Sequence, residues 1–118
     1  MRVLVLHNRY RQRGGEERLV EQQVELLRAR NHTVGLLEID SGKVEQRRNG
    51  RALAGLSLLN GGSASRTVAE VFENGGYEIV HAHNVLPMFG WRGLAAAKQQ
   101  GAKVVLHLHN YRLFCSVG

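Results

Sequence analysis

Short apolar runs alternate with helical patterns along the 118 residues, and this alternation constrains the fold more than any other feature. Residues 2–6 are continuously apolar and bounded by polar residues, which is typical of a strand buried on both faces of a parallel sheet. Apolar residues at helical spacing and a stop at Asn31 then predict a helix. Further strands are predicted over residues 33–39, 78–82 and 103–108, and further helices before 75–76 and over about 89–100.

This alternation predicts one α/β domain over residues 1–118, a Rossmann-like parallel sheet of about four strands with helices on both faces. The expected strand order is second, first, third, fourth. Because a doubly wound sheet normally continues beyond four strands, we expect a domain truncated relative to the full fold. Residues 41–62 carry five glycines and are interpreted as a loop with one short helix near 51–59.

Sixteen Lys and Arg residues against ten Asp and Glu give a formal net charge of +6, which favours an anionic partner. A phosphorylated substrate, a nucleic acid and an acidic membrane surface all fit this charge, as does a merely solvated basic surface. Since aromatic residues make up only 6% of the chain, no stacking platform is visible and we expect no nucleic-acid partner. Without a membrane span, a secretory signal or a disulfide framework, the expected location is the cytoplasm, with peripheral contact to the inner membrane face as an option.

Histidines collect where the predicted strands end, and in a parallel sheet those carboxyl ends form the ligand-binding edge. The segments concerned are His7-Asn8, His81-Ala82-His83-Asn84 and His107-Leu108-His109-Asn110. Three interpretations remain open at this point: a metal site, an anion-binding loop at Gly14-Gly15, and recognition of sugar hydroxyls by His83 and His109 with their neighbouring asparagines. Histidines packed at strand ends and an ordinary glycine turn are the structural alternatives.

Several common catalytic motifs are missing from the sequence. There is no G-x-G-x-x-G dinucleotide fingerprint, no G-K-[ST] phosphate loop and no G-x-S-x-G nucleophile elbow. Cys115 has no assignable partner, so we interpret it as buried or incidental.

Four blocks together resemble the N-terminal domain of family 4 retaining glycosyltransferases, which have the two-domain GT-B fold. Gly14-Gly15-Glu16 follows the opening strand, and residues 28–34 look like the family's L-x-x-x-G-H-x-V, with Asn31 in place of glycine. Residues 77–84 are similar to D-[IV]-V-H-x-H. Residues 104–115 are similar to V-V-x-T-x-H-[DN]-Y-R-x-x-C, with His107 in place of threonine, and this block is the most specific.

The resemblance implies transfer of a sugar from a nucleotide-sugar to an acceptor hydroxyl with retention, without a metal cofactor. This domain would hold the acceptor, which is a sugar, a lipid-linked molecule or another small molecule. His83 would face the transferred sugar as the catalytic residue, and Gly14 and Gly15 would give N–H groups to the donor diphosphate. His109 and Asn110 would line the cleft, with Asn84 beside them.

The resemblance also implies a C-terminal donor domain with an E-x7-E acidic pair, which has no counterpart in these 118 residues. We therefore expect the isolated chain not to transfer sugar. The alternative function is a non-catalytic binding or assembly domain, either a truncated product or a subunit that docks a separate donor domain. Because the fourth strand would lack a partner on one side, we also expect self-association through residues 103–108 or the tail 110–118, unless the tail folds back over that edge.

Overall fold

Four strands and three helices alternate in the computed structural model, which describes residues 1–9, 14–40, 56, 59–62, 64–86 and 88–109. The elements in chain order are β1 (Arg2–Arg9), α1 (Gly15–Ala29), β2 (Thr33–Asp40), α2 (Ser65–Gly75), β3 (Ile79–His83), α3 (Gly90–Gln99) and β4 (Lys103–His107). None of the helices in these ranges is long and apolar enough to cross a membrane.

The sheet is parallel throughout and has the order β2-β1-β3-β4. This order confirms the prediction from the strand–helix alternation, and it puts β1 between two other strands. Every residue from Val3 to Asn8 is buried as a result. The continuous apolar run at the start of the chain is therefore explained by its position inside the sheet.

Helices cover both faces of the sheet, as predicted. On one face, Val20 and Val24 of α1 pack against Val3 and Val5 of β1. On the other face, Leu4 and Leu6 join a larger core that includes residues of α2 and α3, among them Val68, Phe72 and Ala97. Odd and even positions of β1 thus enter different cores, because successive side chains of a strand point to opposite faces.

β1 is longer than predicted, and this changes the position of the first polar pair. The prediction ended the strand at residue 6, but β1 continues to Arg9 because it pairs with β2 along its whole length. His7 and Asn8 therefore lie inside the strand, opposite Glu38 and Ile39, and not in the loop after it. Hydrogen bonding to a long neighbouring strand outweighs the polarity of these residues.

Helix ends agree with the sequence in part. Asn31, which follows α1, has a φ of 61°, and Gly76, which caps α2, has a φ of 57°, so both adopt the expected left-handed stop. Ser65 and Thr67 have side chains that could cap α2 and were expected to do so from the sequence, but the N-cap is Ala64, with no side-chain hydrogen bond. The short helix expected near 51–59 falls largely outside the described residues, as do Asn110, Cys115 and the rest of the tail.

Candidate functional site

Strand register brings histidines from three strands to one end of the sheet. His7 of β1 lies opposite His83 of β3, and His83 lies opposite His107 of β4. His81 shares the face of His83 because residues two apart on a strand point the same way. This is the face on which α1 packs, so the histidines continue the surface that Val3 and Val5 begin under that helix.

His109, two residues after His107, joins three of these histidines. The four rings contact one another and form what we call the histidine cluster, namely His81, His83, His107 and His109. The ring centroids of His81 and His83 are 4.3 Å apart, and those of His83 and His107 are 4.9 Å apart. His107 and His109 stack at 4.4 Å with an interplanar angle of 3°. His83 Nδ1 and His109 Nε2 are 2.8 Å apart, which is a hydrogen bond whose donor depends on the tautomer.

Burial favours the neutral form of three rings in the cluster, those of His81, His83 and His109. His83 is fully buried, and this burial is the main reason that its pKa is lowered to about 3. Repulsion by neighbouring rings, when these are protonated, lowers it further, and these rings belong to His81, His109, His107 and His7. Burial is also the main reason that the pKa of His81 and that of His109 are lowered, although the Glu16 carboxylate opposes the effect at His109. A neutral imidazole can donate or accept a hydrogen bond or bind a metal ion, but it cannot neutralise a phosphate.

Two ring nitrogens in the cluster are buried without a hydrogen-bond partner among the described residues, His81 Nε2 and His83 Nε2. A buried polar atom left unpaired costs about 1–3 kcal/mol, so such atoms are few in folded proteins and call for a specific explanation. These two nitrogens are the atoms with which the cluster would engage a ligand.

His7 links the cluster to α1 and β2. Its Nδ1 lies 3.3 Å from Glu38 Oε1, and its Nε2 lies 3.5 Å from Glu16 Oε1. The side chain of His7 is buried, whereas Glu16 and Glu38 are partly exposed at the rim. The start of α1 therefore lies next to the histidines, and two carboxylates border them.

The glycine pair at the start of α1 lies at the same edge of the sheet. Gly14 N–H donates to Glu17 Oε2 at 2.6 Å, so the helix supplies its own anion at this point. Burial would raise the pKa of Glu17, but hydrogen bonds from the backbone N–H groups of Gly14 and Glu17, with the charges of His7 and Arg9, lower it overall. Gly15 is exposed, and a Cβ added there would meet nothing within 4 Å.

Asn84 follows β3 directly and holds that strand end against β1. Its φ is 50°, in the left-handed region that asparagine tolerates, and its Nδ2 donates to the Asn8 carbonyl at 3.2 Å. Asn8 is fully buried, and its own Nδ2 donates to the Leu86 carbonyl. Both asparagines thus fix the loop after β3, and the role of Asn84 towards a substrate stays a prediction.

The structure brings together more histidines than the sequence assigned to the site. His83 and His109 were predicted to act together and are hydrogen bonded. His81 and His107 had no assigned role, yet their rings complete the cluster. The two H-x-H spacings were the available signal, and the missing information was the register that sets His83 opposite His107.

Comparison with known proteins identifies the family. Residues 13–114 match the family model described as Glycosyltransferase Family 4, which is most of the chain. No curated protein and no solved structure matches the sequence significantly. The chain belongs to glycosyltransferase family 4, as a domain of the N-terminal type.

Proposed function

We propose that this domain is the acceptor-side half of an enzyme that transfers a hexosyl group from a nucleotide-sugar to an acceptor hydroxyl with retention. The observation that carries the proposal is that Nε2 of the fully buried His83 has no hydrogen-bond partner among the described residues, in a domain of glycosyltransferase family 4. That nitrogen lies at the carboxyl end of a central parallel strand, where open α/β sheets bind their ligands.

His83 acts in this proposal by hydrogen bonding and not by charge. With a pKa of about 3 the ring is neutral at physiological pH, so it is suited to a sugar hydroxyl and unsuited to a diphosphate. Its Nδ1 is held by His109, which orients the ring and leaves Nε2 for the transferred sugar. His109, half-buried beside it, lines the acceptor side of the cleft in this proposal. The family resemblance gives the same role to Asn110, which lies outside the described residues.

The glycine pair is the proposed contact with the donor diphosphate. Exposed Gly15 lets the backbone come close to a phosphate, and the positive end of α1 favours the negative charge. Gly14 already donates to Glu17, so its N–H group reaches the diphosphate only after that carboxylate has moved away. Gly15 is therefore the stronger of the two candidates.

The remaining half of the site belongs, in this proposal, to a donor-binding domain that holds the nucleotide and stabilises the leaving diphosphate. The 118-residue chain by itself then binds sugar without transferring it. No metal ion takes part in the proposed transfer, since positioned hydrogen-bond donors and charges from the two domains supply the electrostatic stabilisation.

The test is an NMR titration of the chain with a panel of hexoses and, separately, with nucleoside diphosphates. We expect at least one hexose to shift the ring signals of His83 and His109 saturably. His109→Gln should weaken that binding about tenfold, because one hydrogen bond that orients His83 is lost or altered. His32→Gln, on the loop between α1 and β2, is the matched control and should leave the affinity unchanged.

Two results would contradict the proposal. One is hexose binding that His109→Gln and His32→Gln weaken equally, since the contact would then lie outside the cluster. The other is robust release of nucleoside diphosphate when the 118-residue chain alone is incubated with nucleotide-sugars and a hexose acceptor. That release would show that this half already contains a complete active site.

A further inference from the structure

Three rings of the histidine cluster converge although they come from two strands. One ring nitrogen from each of His81, His83 and His107 lies within 4.8 Å of the corresponding nitrogens of the other two. β3 and β4 are hydrogen-bonded neighbours with His83 directly opposite His107, so the backbone fixes the spacing. A rigid sheet is a better support for a ligand site than a loop, because it holds the side chains in place.

Three imidazole nitrogens are a common ligand set for Zn²⁺ and for related transition metals. A tetrahedral ion with bonds of about 2.1 Å holds its ligand nitrogens roughly 3.4 Å apart. The rings therefore need to approach by somewhat more than 1 Å at most, relative to the largest separation of 4.8 Å. His81 and His107 are only half-buried, so rotation of their side chains can provide this movement.

Two of the three proposed ligand residues have a ring nitrogen that makes no hydrogen bond among the described residues. Nε2 of His81 and Nε2 of His83 are buried without hydrogen-bond partners there. When His83 Nδ1–H donates to His109 Nε2, His83 Nε2 carries the lone pair that a metal requires. Metal-binding histidines usually have such a partner on the second nitrogen, because it fixes the tautomer and the ring orientation.

The charges around the cluster also suit a cation. The Glu16 carboxylate acts on His109, and Glu38 lies 3.3 Å from the neighbouring His7. Glu38 also lies 3.8 Å from Arg9 Nη1, so Glu16 is the carboxylate that favours a cation beside the cluster. Packing of the rings alone would not explain why three ring nitrogens from two strands converge.

We propose that His81, His83 and His107 bind one transition-metal ion of the Zn²⁺ class, with His109 as the positioning residue behind His83. The ion would occupy the same nitrogen of His83 that the proposed function gives to a sugar hydroxyl. Bound metal therefore competes with sugar at this site. That consequence rests on the proposed function, whereas metal binding itself does not.

The experiment starts from the chain stripped with EDTA and dialysed. Zn²⁺ is titrated by calorimetry, and Co²⁺ is used as a spectroscopic probe of coordination geometry. We expect one ion per chain, a rise of several degrees in the thermal midpoint with Zn²⁺ in large excess over its dissociation constant, and intense visible Co²⁺ bands of a tetrahedral site. Adding Zn²⁺ should also reverse the hexose-induced shifts of the His83 signals.

Three variants assign the ligands. His107→Thr keeps a strand-favouring residue and removes the nitrogen, so Zn²⁺ affinity should fall at least tenfold. His107→Cys replaces nitrogen by a thiolate, so it should retain Zn²⁺ and add a sulfur-to-Co²⁺ charge-transfer band in the near ultraviolet. His32→Ala removes a histidine outside the cluster and should bind Zn²⁺ as the unmodified chain does.

The proposal is overturned if Zn²⁺ fails to bind, if His107→Thr binds it unchanged, or if His32→Ala loses it to the same extent. Absence of the charge-transfer band in a folded His107→Cys chain also overturns it. The two proposals fail separately: one-to-one metal binding in a chain that binds no hexose sinks the proposed function and leaves the metal site intact. Hexose binding that persists at saturating Zn²⁺ would contradict the claim that metal and sugar compete for His83.

Discussion

The two ring nitrogens of His83 have different surroundings, and this difference determines what the residue can do. Nδ1 is 2.8 Å from His109 Nε2, while Nε2 is buried without a partner among the described residues. The two tautomers of this pair leave Nε2 either protonated or with a lone pair. A protonated Nε2 can donate to a sugar oxygen, whereas the lone pair can accept from a hydroxyl or bind a metal ion. One side chain can thus serve either ligand through the same atom.

Glu17 is a residue at which the effect of pH on stability follows from its position at the start of α1. Its pKa is lowered from 4.5, mainly because the Gly14 and Glu17 N–H groups outweigh the cost of its burial. A carboxyl group whose pKa is lower in the folded state stabilises the fold above the unfolded-state value, and this stabilisation is lost as the pH falls through the folded-state pKa.

Glu17→Gln should therefore lower the free energy of unfolding by about 1 kcal/mol at pH 7, the usual loss for a charged group capping a helix start. The difference from the unmodified chain should shrink as the pH falls below about 4.5. Urea denaturation at a series of pH values measures it. Glu25→Gln, on an exposed position of the same helix, is the matched control and should change stability by less than about 0.5 kcal/mol. A difference for Glu17→Gln that is constant down to pH 3 would rule out this explanation.

At the scale of elements, the start of α3 depends on a close approach between two glycines. Gly62 and Gly90 have φ values of 106° and 58°. A Cβ added to Gly62 would overlap the Phe89 carbonyl, and one added to Gly90 would overlap the Gly61 carbonyl. Arg92 N–H donates to the Gly61 carbonyl at 3.1 Å, and Ala64 N–H donates to the Met88 carbonyl at 2.9 Å. These bonds place the segment before α2 directly on the first turn of α3.

Gly90→Ala is expected to destabilise the fold by roughly 3 kcal/mol, because the left-handed backbone penalty and the steric overlap add. Gly101→Ala provides the comparison: its φ is 93°, but a Cβ there would meet nothing within 4 Å. Only the backbone penalty applies to Gly101→Ala, so its free energy of unfolding should fall by about 1–2 kcal/mol. Thermal and urea unfolding of both variants measure these two losses in the free energy of unfolding. Equal losses would mean that the overlap with the Gly61 carbonyl contributes nothing.

The elements were predictable because each is encoded locally. The apolar run at residues 2–6, the helical spacing in α1 and the left-handed stop at Asn31 depend only on neighbouring residues, and all three are confirmed. The length of β1 was underestimated because His7 and Asn8 are polar and are held in the strand by pairing with β2, which is a tertiary interaction.

The candidate site could be predicted only as far as its location. The sequence indicates that histidines end three strands, because the H-x-H spacings are local. The hydrogen bond between His83 and His109 and the convergence of His107 depend on which strands are neighbours and in what register. The hydrogen bond from Gly14 N–H to the Glu17 carboxylate could have been expected, since a Glu three residues after a helix N-cap is a known capping pattern.

At the scale of the whole molecule, β4 is the least protected part of the sheet. Within the described ranges it pairs with β3 on one side only. Two apolar residues of β4 and one that follows it are exposed. Val105 is 47%, Leu106 42% and Leu108 49% exposed. Because successive side chains alternate, Val105 and Leu106 expose apolar surface on both faces of the strand.

An exposed apolar edge strand is a template for pairing with another chain, so we expect this protein to self-associate at micromolar concentration, most simply as a two-fold dimer through β4. Leu106→Lys should shift it towards the monomer, since lysine on an edge strand opposes pairing. Leu26→Lys, at a leucine on α1 that is somewhat more exposed than Leu106, should not shift it. Sedimentation velocity over a concentration series measures the shift, and hydrogen exchange reports whether the β4 amides gain protection on dimerisation. A monomer at every concentration whose β4 amides are already strongly protected would mean that this edge is covered within the chain itself.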